Sequence, residues 1–304
     1  NVCTGSPPAQ PSAISGATNM CFGTSQSFSV VNDPTATGYV WSFPSGWSGS
    51  SSINSIVANA GTTGTISVAA SNSCGLSPYS TLNVTVNPLP TPTFTNSGPV
   101  CSGSSLVIGA NGASTYSIYG PASFAQITQS FTFTNILPIN AGVYTVVVTS
   151  AAGCTALAQT TVVINPLPTL SVNNPSVCSG GNLTFTSSGA STYTWSGPNS
   201  FASNAQNPLV ATASTLATGQ YTLKASTALG CTNSAISNAT VSPTPTPGIS
   251  SSATLCSGNT INLTSTGGGT YQWYGPNSFS STNQNPSITT SSVVNTGAYT
   301  VVVT

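Results

Sequence analysis

Residues 178–201 read CSGGNLTFTSSGASTYTWSGPNSF, and the same pattern returns three more times along the chain. It opens on a cysteine, runs through a short stretch rich in Ser, Thr and apolar residues, and closes on an aromatic block. The other openings are CFGTSQSFSV from Cys21, CSGSSLVIGA from Cys101 and CSGNTINLTS from Cys256, so the repeats are 80, 77 and 78 residues apart. The other blocks are YVWSFPSGW (39–47), YSIYGPASF (116–124) and YQWYGPNSF (271–279). A Gly-x-Tyr segment follows at Gly142–Tyr144, Gly219–Tyr221 and Gly297–Tyr299, where the first repeat has Gly64-Thr65-Ile66. A second cysteine comes at Cys74, Cys154 and Cys231, each 53 residues after the first. Self-similarity at a fixed period is the signature of a repeat array.

Inside a repeat the apolar residues form short β-branched runs such as LVIGA, YTVVVT and TTVVIN, bounded by turn residues. No window keeps helical spacing for three turns. About seven short strands in some 78 residues predict a small β-sandwich. The expected fold is all-β: tandem β-sandwich repeats of about 78 residues arranged as a rod. Trp41, Trp195 and Trp273 are expected in the cores, with Ile118 in the equivalent place of the second repeat and Tyr144, Tyr221 and Tyr299 beside them. Pro-rich segments at 87–90, 165–168 and 242–248 end strands, because proline cannot donate to a ladder. Linkers this short and stiff favour an extended arrangement. The boundaries follow: a strand at 1–10 completing a preceding or neighbouring domain, sandwiches at 11–87, 91–165 and 169–241, and a fourth at 247–304 lacking its last strand.

Composition removes whole classes of function. Of 304 residues, 1% are charged: Lys224 is the sole base, Asp33 the sole acid, and there is no His. General acid–base catalysis needs a titrating group beside the reacting atoms, and no serine or threonine here has a base to activate it. No catalytic residue is expected, and the chain is read as not an enzyme. Cysteines 18 to 53 residues apart do not have zinc-finger spacing. A calcium cage needs several carboxylates. Metal and cofactor sites are therefore not expected. Nucleic acid is excluded as a partner for want of Lys and Arg clusters. No apolar run approaches the ~20 residues of a membrane span. A disordered chain is excluded too, since 38% of residues are hydrophobic and recur at fixed places. Lys224 reads as a solvated strand residue and Asp33, in Val-Asn-Asp-Pro-Thr, as a turn residue.

The order Cys-x-Gly, Tyr-x-Trp, Gly-x-Tyr, Cys resembles the immunoglobulin-like and PKD-like repeats of large Bacteroidetes cell-surface proteins. Residues 11–86 resemble the PKD-like variety through PSAISG, CFG, YVWSFPSGW and SNSCGLS; the later repeats are more immunoglobulin-like. The resemblance implies type IX export, a secreted or cell-surface location, and an adhesin, gliding or matrix role. It fixes architecture and leaves the ligand open. The acidic residues typical of PKD domains are missing, which argues against calcium. The leading expectation is a structural stalk or filament unit. The alternative is a glycan- or protein-binding adhesin module, for which the extra residues around Phe43 to Ser52 are the first place to look.

Eight cysteines in an exported repeat protein read as disulfides: Cys3, Cys21, Cys74, Cys101, Cys154, Cys178, Cys231 and Cys256. The constant spacing suggests pairs within repeats, Cys21–Cys74, Cys101–Cys154 and Cys178–Cys231. In an immunoglobulin-type sandwich, however, the first cysteine lies in the A–B turn and the second in the F–G turn, at opposite ends. A seven-residue strand spans about 23 Å, while a disulfide joins Cα atoms no more than about 7 Å apart. End-to-end stacking would instead allow Cys21–Cys154 and Cys101–Cys231 between repeats, and this set is favoured. The last expectation concerns other copies of the chain. Asn1–Pro7 resembles the Ser71–Pro78 tail of repeat one, so residues 1–10 are expected to complete, head to tail, the sandwich that contains Tyr299 in a neighbouring copy, either through a covalent junction in a longer repetitive protein or as a donated strand; the alternative is an arbitrary cut from a larger chain.

Overall fold

The computed structural model describes residues 5–252, 254–289 and 291–304. The chain forms about four β-sandwiches in tandem, grouped into two compact units, Asn1–Pro166 and Leu167–Thr304. Among the described residues the only helical pieces are three single 3₁₀ turns, and none is long and apolar enough to cross a membrane.

In the first unit, the first sandwich has one sheet ordered Asn19–Cys21, Ser80–Asn87, Gly64–Asn72, Gly38–Ser42, facing the pair Ser25–Ser29 and Ser55–Asn59. Phe28, Ile56, Ile66, Val68 and Val84 fill the space between. The second sandwich faces Thr93–Asn96, Leu106–Asn111 and Ser130–Phe133 against Phe124–Gln126, Thr115–Gly120, Gly142–Thr149 and Thr155–Val162. In the second unit, the third sandwich is built on the sheet Ser176–Cys178, Thr232–Ser242, Gly219–Ser226, Thr192–Gly197, Phe201–Ser203. The fourth faces Gly248–Ser251, Ile261–Thr266 and Ser287–Ile288 against Ser280–Ser281, Tyr271–Tyr274 and Thr300–Val303.

Period-two alternation places the cores. In Gly142–Thr149, Tyr144, Val146 and Val148 point inward and are fully buried, while Val143 faces out. We call this the tyrosine strand, and its equivalents are Gly219–Ser226 and Thr300–Val303. The next strand, Thr155–Val162 or Thr232–Ser242, pairs with it along eight residues and closes the sheet. The tail of this closing strand then runs parallel to the first cysteine segment: Cys21 lies opposite Asn87, Cys101 opposite Asn165, and Cys178 opposite Ser242.

The two motifs of the repeat form one packing unit. A Cβ placed on Gly120, Gly197 or Gly275 would stand 2.3, 2.3 and 2.4 Å from the ring of Tyr144, Tyr221 and Tyr299. The glycine of the aromatic block is therefore the floor on which the tyrosine lies. Each tyrosine hydroxyl donates to a carbonyl four residues back, at Asn140 (2.9 Å), Ala217 (3.0 Å) and Asn295 (2.8 Å). The ring of Phe124, Phe201 or Phe279 meets it edge-on at 5.3–5.5 Å. These phenylalanines, whose places the sequence does not decide, arrive there because the two residues before each, such as Asn199 and Ser200, adopt positive φ and turn the chain back.

Trp195 and Trp273 are fully buried, and Ile118 occupies the same place in the second sandwich. Trp41 differs from expectation. It is half-buried at the rim of its core, stacked on Phe43, while Tyr39 takes the interior. Tyr144 and Tyr221 are fully buried, and Tyr299 is half-buried.

Candidate functional site

Chemistry in this chain resides in its cysteines. Cys21 ends its short strand, where the N–H of Phe22 donates to the carbonyl of Asn87 (2.9 Å). Cys154 heads the closing strand of the second sandwich. It is fixed by the turn before it: the N–H of Ser150 donates to its carbonyl (2.8 Å) and Ser150 Oγ accepts from its N–H (3.2 Å). These two cysteines form a disulfide with Cα atoms 5.6 Å apart, joining consecutive sandwiches of the first unit. Cys154 is 1% exposed, so the joint is sealed from solvent on that side.

The pairs within repeats are excluded. Cys154 is bonded to Cys21, which removes both Cys21–Cys74 and Cys101–Cys154. Cys178 is an exposed free thiol, which removes Cys178–Cys231. Topology gives the reason. In the second sandwich Cys154 stands at the head of the closing strand, and Cys101 lies opposite Asn165 at its tail. At ~3.3 Å per residue, that separation is some 35 Å, far beyond the ~7 Å a disulfide spans. Cys74, Cys101 and Cys231 are each in a disulfide. Cys256, like Cys178, is an exposed thiol. Cys3 lies outside the described residues.

Cys178 has the frame that Cys21 has. The N–H of Ser179 donates to the carbonyl of Ser242 (2.8 Å), as Phe22 does to Asn87. In the fourth sandwich the surroundings change. Thr300–Val303 pairs with Tyr271–Tyr274 on one side and, among the described residues, with nothing on the other. Beside it opens a groove of about 370 Å³, lined by Leu255, Ile261, Leu263, Val293 and Tyr299 with Thr296 at the rim. The residues equivalent to Ile261 in the second and third sandwiches, Leu106 and Leu183, are fully buried.

The remaining candidates are structural. Asp33 accepts from the N–H (2.8 Å) and hydroxyl (2.7 Å) of Thr35, which hold its carboxyl below the usual range. Lys224 projects outward from the tyrosine strand of the third sandwich. Burial pushes the hydroxyls of Tyr144, Tyr221 and Tyr299 upward in pKa. In the extra residues of repeat one, Trp41, Phe43 and Trp47 stack in a row at 6.5 and 5.5 Å. Their indole N–H groups are already used, by the carbonyls of Ile53 (3.0 Å) and Thr62 (2.8 Å). Residues 5–10 form no strand and lie along their own first sandwich. Asn72 Nδ2 donates to the Ser6 carbonyl (3.1 Å), and Gln10 Nε2 to that of Tyr79 (2.8 Å). A strand donated to another copy would have to leave these contacts.

Residues 7–84 match the PKD-like domain family. The matched segment is the first sandwich, and it begins within the stretch that lies along Asn72 and Tyr79. No curated protein sequence matches the chain. Among solved structures, the chain is similar to the N-terminal eight Ig domains of Down syndrome cell adhesion molecule: 12% identity and TM-score 0.31, over 88% of this chain and 45% of that one. It thus spans about half the length of that protein fragment. It is also similar to hemolin, an insect immune protein, at 13% identity and TM-score 0.33, over 77% and 76% of the two chains. Three N-terminal domains of the bacteriophage RB49 outer capsid protein Hoc align at 12% identity and TM-score 0.34, over 76% and 99%. Beyond the PKD-like sandwich, the tandem architecture rests on the strands themselves.

Proposed function

We propose that this chain is a structural stalk of an extracellular bacterial surface protein, in which neighbouring sandwiches are locked together covalently. The observation that carries the reading is the Cys21–Cys154 disulfide, which joins two domains instead of stapling one. A disulfide inside each sandwich would stabilise a fold; a disulfide between sandwiches fixes a joint. Disulfides persist in oxidising compartments, which supports a secreted or cell-surface setting. The bacterial setting is supported by the resemblance of the repeat pattern. The low charge also fits a chain whose parts associate.

The test is a distance measurement between spin labels on Val31 and Leu137, both exposed, one on each sandwich of the first unit. A single narrow distribution is expected in the oxidised protein and a broad one in Cys154→Ser. Equally broad distributions in both would defeat the reading. The alternative, an adhesin module, gains support only from the aromatic row at Trp41, Phe43 and Trp47. Specific binding of the intact protein on a glycan array, abolished by Trp47→Ala, would put that function in place of the stalk.

A further inference from the structure

We infer that the second sandwich carries a lateral docking edge, the strand Ser130–Phe133, and that its partner is the same edge of a second copy of this chain. The strand pairs with Leu106–Asn111 on one side and, among the described residues, with nothing on the other. Such an edge presents unpaired N–H and C=O groups and is a template for another strand unless something guards it.

The other sandwiches guard the equivalent edge. In the first, the extra residues of the repeat cover it: the N–H of Asn59 donates to the Ser48 carbonyl (2.8 Å), and Ser51 Oγ to that of Ser55 (2.6 Å). In the third, Pro208 stands in the place of Phe131. It cannot donate to the ladder, and the strand shrinks to Leu209–Val210. The residues before it are drawn inward. The Gln206 carbonyl accepts from Trp195 Nε1 (3.3 Å) and Ser187 Oγ (2.6 Å), and Asn207 Oδ1 accepts from the N–H of Ser187 (2.7 Å). The fourth repeats these bonds with Gln284, Trp273, Ser265 and Asn285, ahead of Pro286. The second sandwich has Ile118 instead of tryptophan, so no indole holds the segment in. Its residues 130–133, SFTF, run as a regular strand with no proline and no charge.

The register decides which atoms face outward. The N–H of Ala110 donates to the Gln129 carbonyl (2.9 Å), so these two form a hydrogen-bonded pair, and the pairs alternate from there. Phe131 and Phe133 are thus bonded inward, to Ile108 and Leu106, while the backbone groups of Ser130 and Thr132 point away from the sheet. Side chains alternate as well: Phe131 and Phe133 are half-buried against the core, and Ser130 and Thr132 are exposed.

The same features select the partner. A charged strand would find no counter-ion here, since Asp33 and Lys224 are the only charged side chains and neither belongs to this sandwich. An uncharged edge pairs with its own copy, antiparallel about a two-fold axis, without repulsion. Centred on Thr132, that pairing makes Thr132 and Thr132 of the second copy a hydrogen-bonded pair. It also sets Phe131 opposite Phe133 of the second copy, twice, on the core-facing side, where aromatic cross-strand pairs are favourable.

The proposal concerns lateral contact and does not rest on the stalk reading, which the spin-label distances test separately. It is tested on the intact chain with its exposed thiols alkylated. Sedimentation equilibrium should show a concentration-dependent dimer. The Thr132 amide, which points away from Leu106–Asn111, should exchange more slowly as the dimer forms, and the Phe131 amide should not change. Thr132→Lys and Thr132→Glu each set like charges face to face and should weaken the dimer about tenfold or more. An equimolar mixture of the two should restore it, which also shows that both variants fold. Thr161→Lys places the same charge on an exposed residue away from this edge and should leave the dimer unchanged. A chain that stays monomeric at every concentration, a dimer indifferent to Thr132→Lys, or equal weakening by Thr161→Lys would overturn the proposal. A mixture of the Lys and Glu variants that stays apart would overturn the pairing of Thr132 with itself.

Discussion

Cys21 and Cys178 occupy the same place in their sandwiches, yet one is bonded and the other is an exposed thiol. The difference lies in the sandwich that follows. The second sandwich carries Cys154 at the head of its closing strand, and the described residues of the fourth extend only to its tyrosine strand, Thr300–Val303. In the first unit, the cysteine at this place is thus one half of a joint whose other half heads the closing strand of the next sandwich. The cores differ as well: Tyr144 and Leu106 are fully buried, while Tyr299 and Ile261 are half-buried.

The sharpest way to break this contrast is to remove one sulfur from each side. The Cys21–Cys154 bond closes a separation of 133 residues, worth about 5 kcal/mol in the loop-entropy account. Cys154→Ser should therefore lower the guanidinium midpoint of the first unit substantially, and Cys178→Ser should leave the second unit within about 0.5 kcal/mol. Equal losses would mean that Cys178 already has a structural role.

A smaller effect separates the closed and open cores. Gly197→Ala and Gly275→Ala each drive a methyl into a tyrosine ring. Overpacking of this kind costs about 1–3 kcal/mol where the ring cannot move. The full cost is expected at Tyr221, and well under half of it at half-buried Tyr299, as read by amide exchange in each sandwich. The smallest contrast is in the threonines. Thr218→Ala loses a two-way clamp and should cost about 1 kcal/mol. Thr296→Ala should change the stability of the free chain by about zero.

Much of this was legible in the sequence, for reasons visible at single residues. The Gly-Pro block and the Gly-x-Tyr segment recur because Gly197 must accept the ring of Tyr221, so the contact is written twice in each repeat. Cysteine pairing was harder. The constant 53-residue spacing reflects a constant fold, not a bond, and only the direction of the closing strand separates the two readings. Trp41 was misplaced because the block YVW looks like YTW. In the first repeat Phe43 and the Ile53 carbonyl offer the indole a place at the rim, and Tyr39 fills the interior. The groove and its threonine carry no motif.

The bond between Cys21 and Cys154 also decides how tension would travel. A pull applied from outside the two cysteines enters at one sulfur and leaves at the other, across Cα atoms 5.6 Å apart. The 133 residues of separation, roughly 450 Å of chain if drawn out at about 3.4 Å each, lie off the line of force. Hydrogen-bonded strands yield under load by unzipping, whereas a covalent shortcut does not. The chain between the sulfurs would then hang as ballast on a covalent thread, while the closing strand Thr155–Val162, which follows Cys154, stays in the line of force.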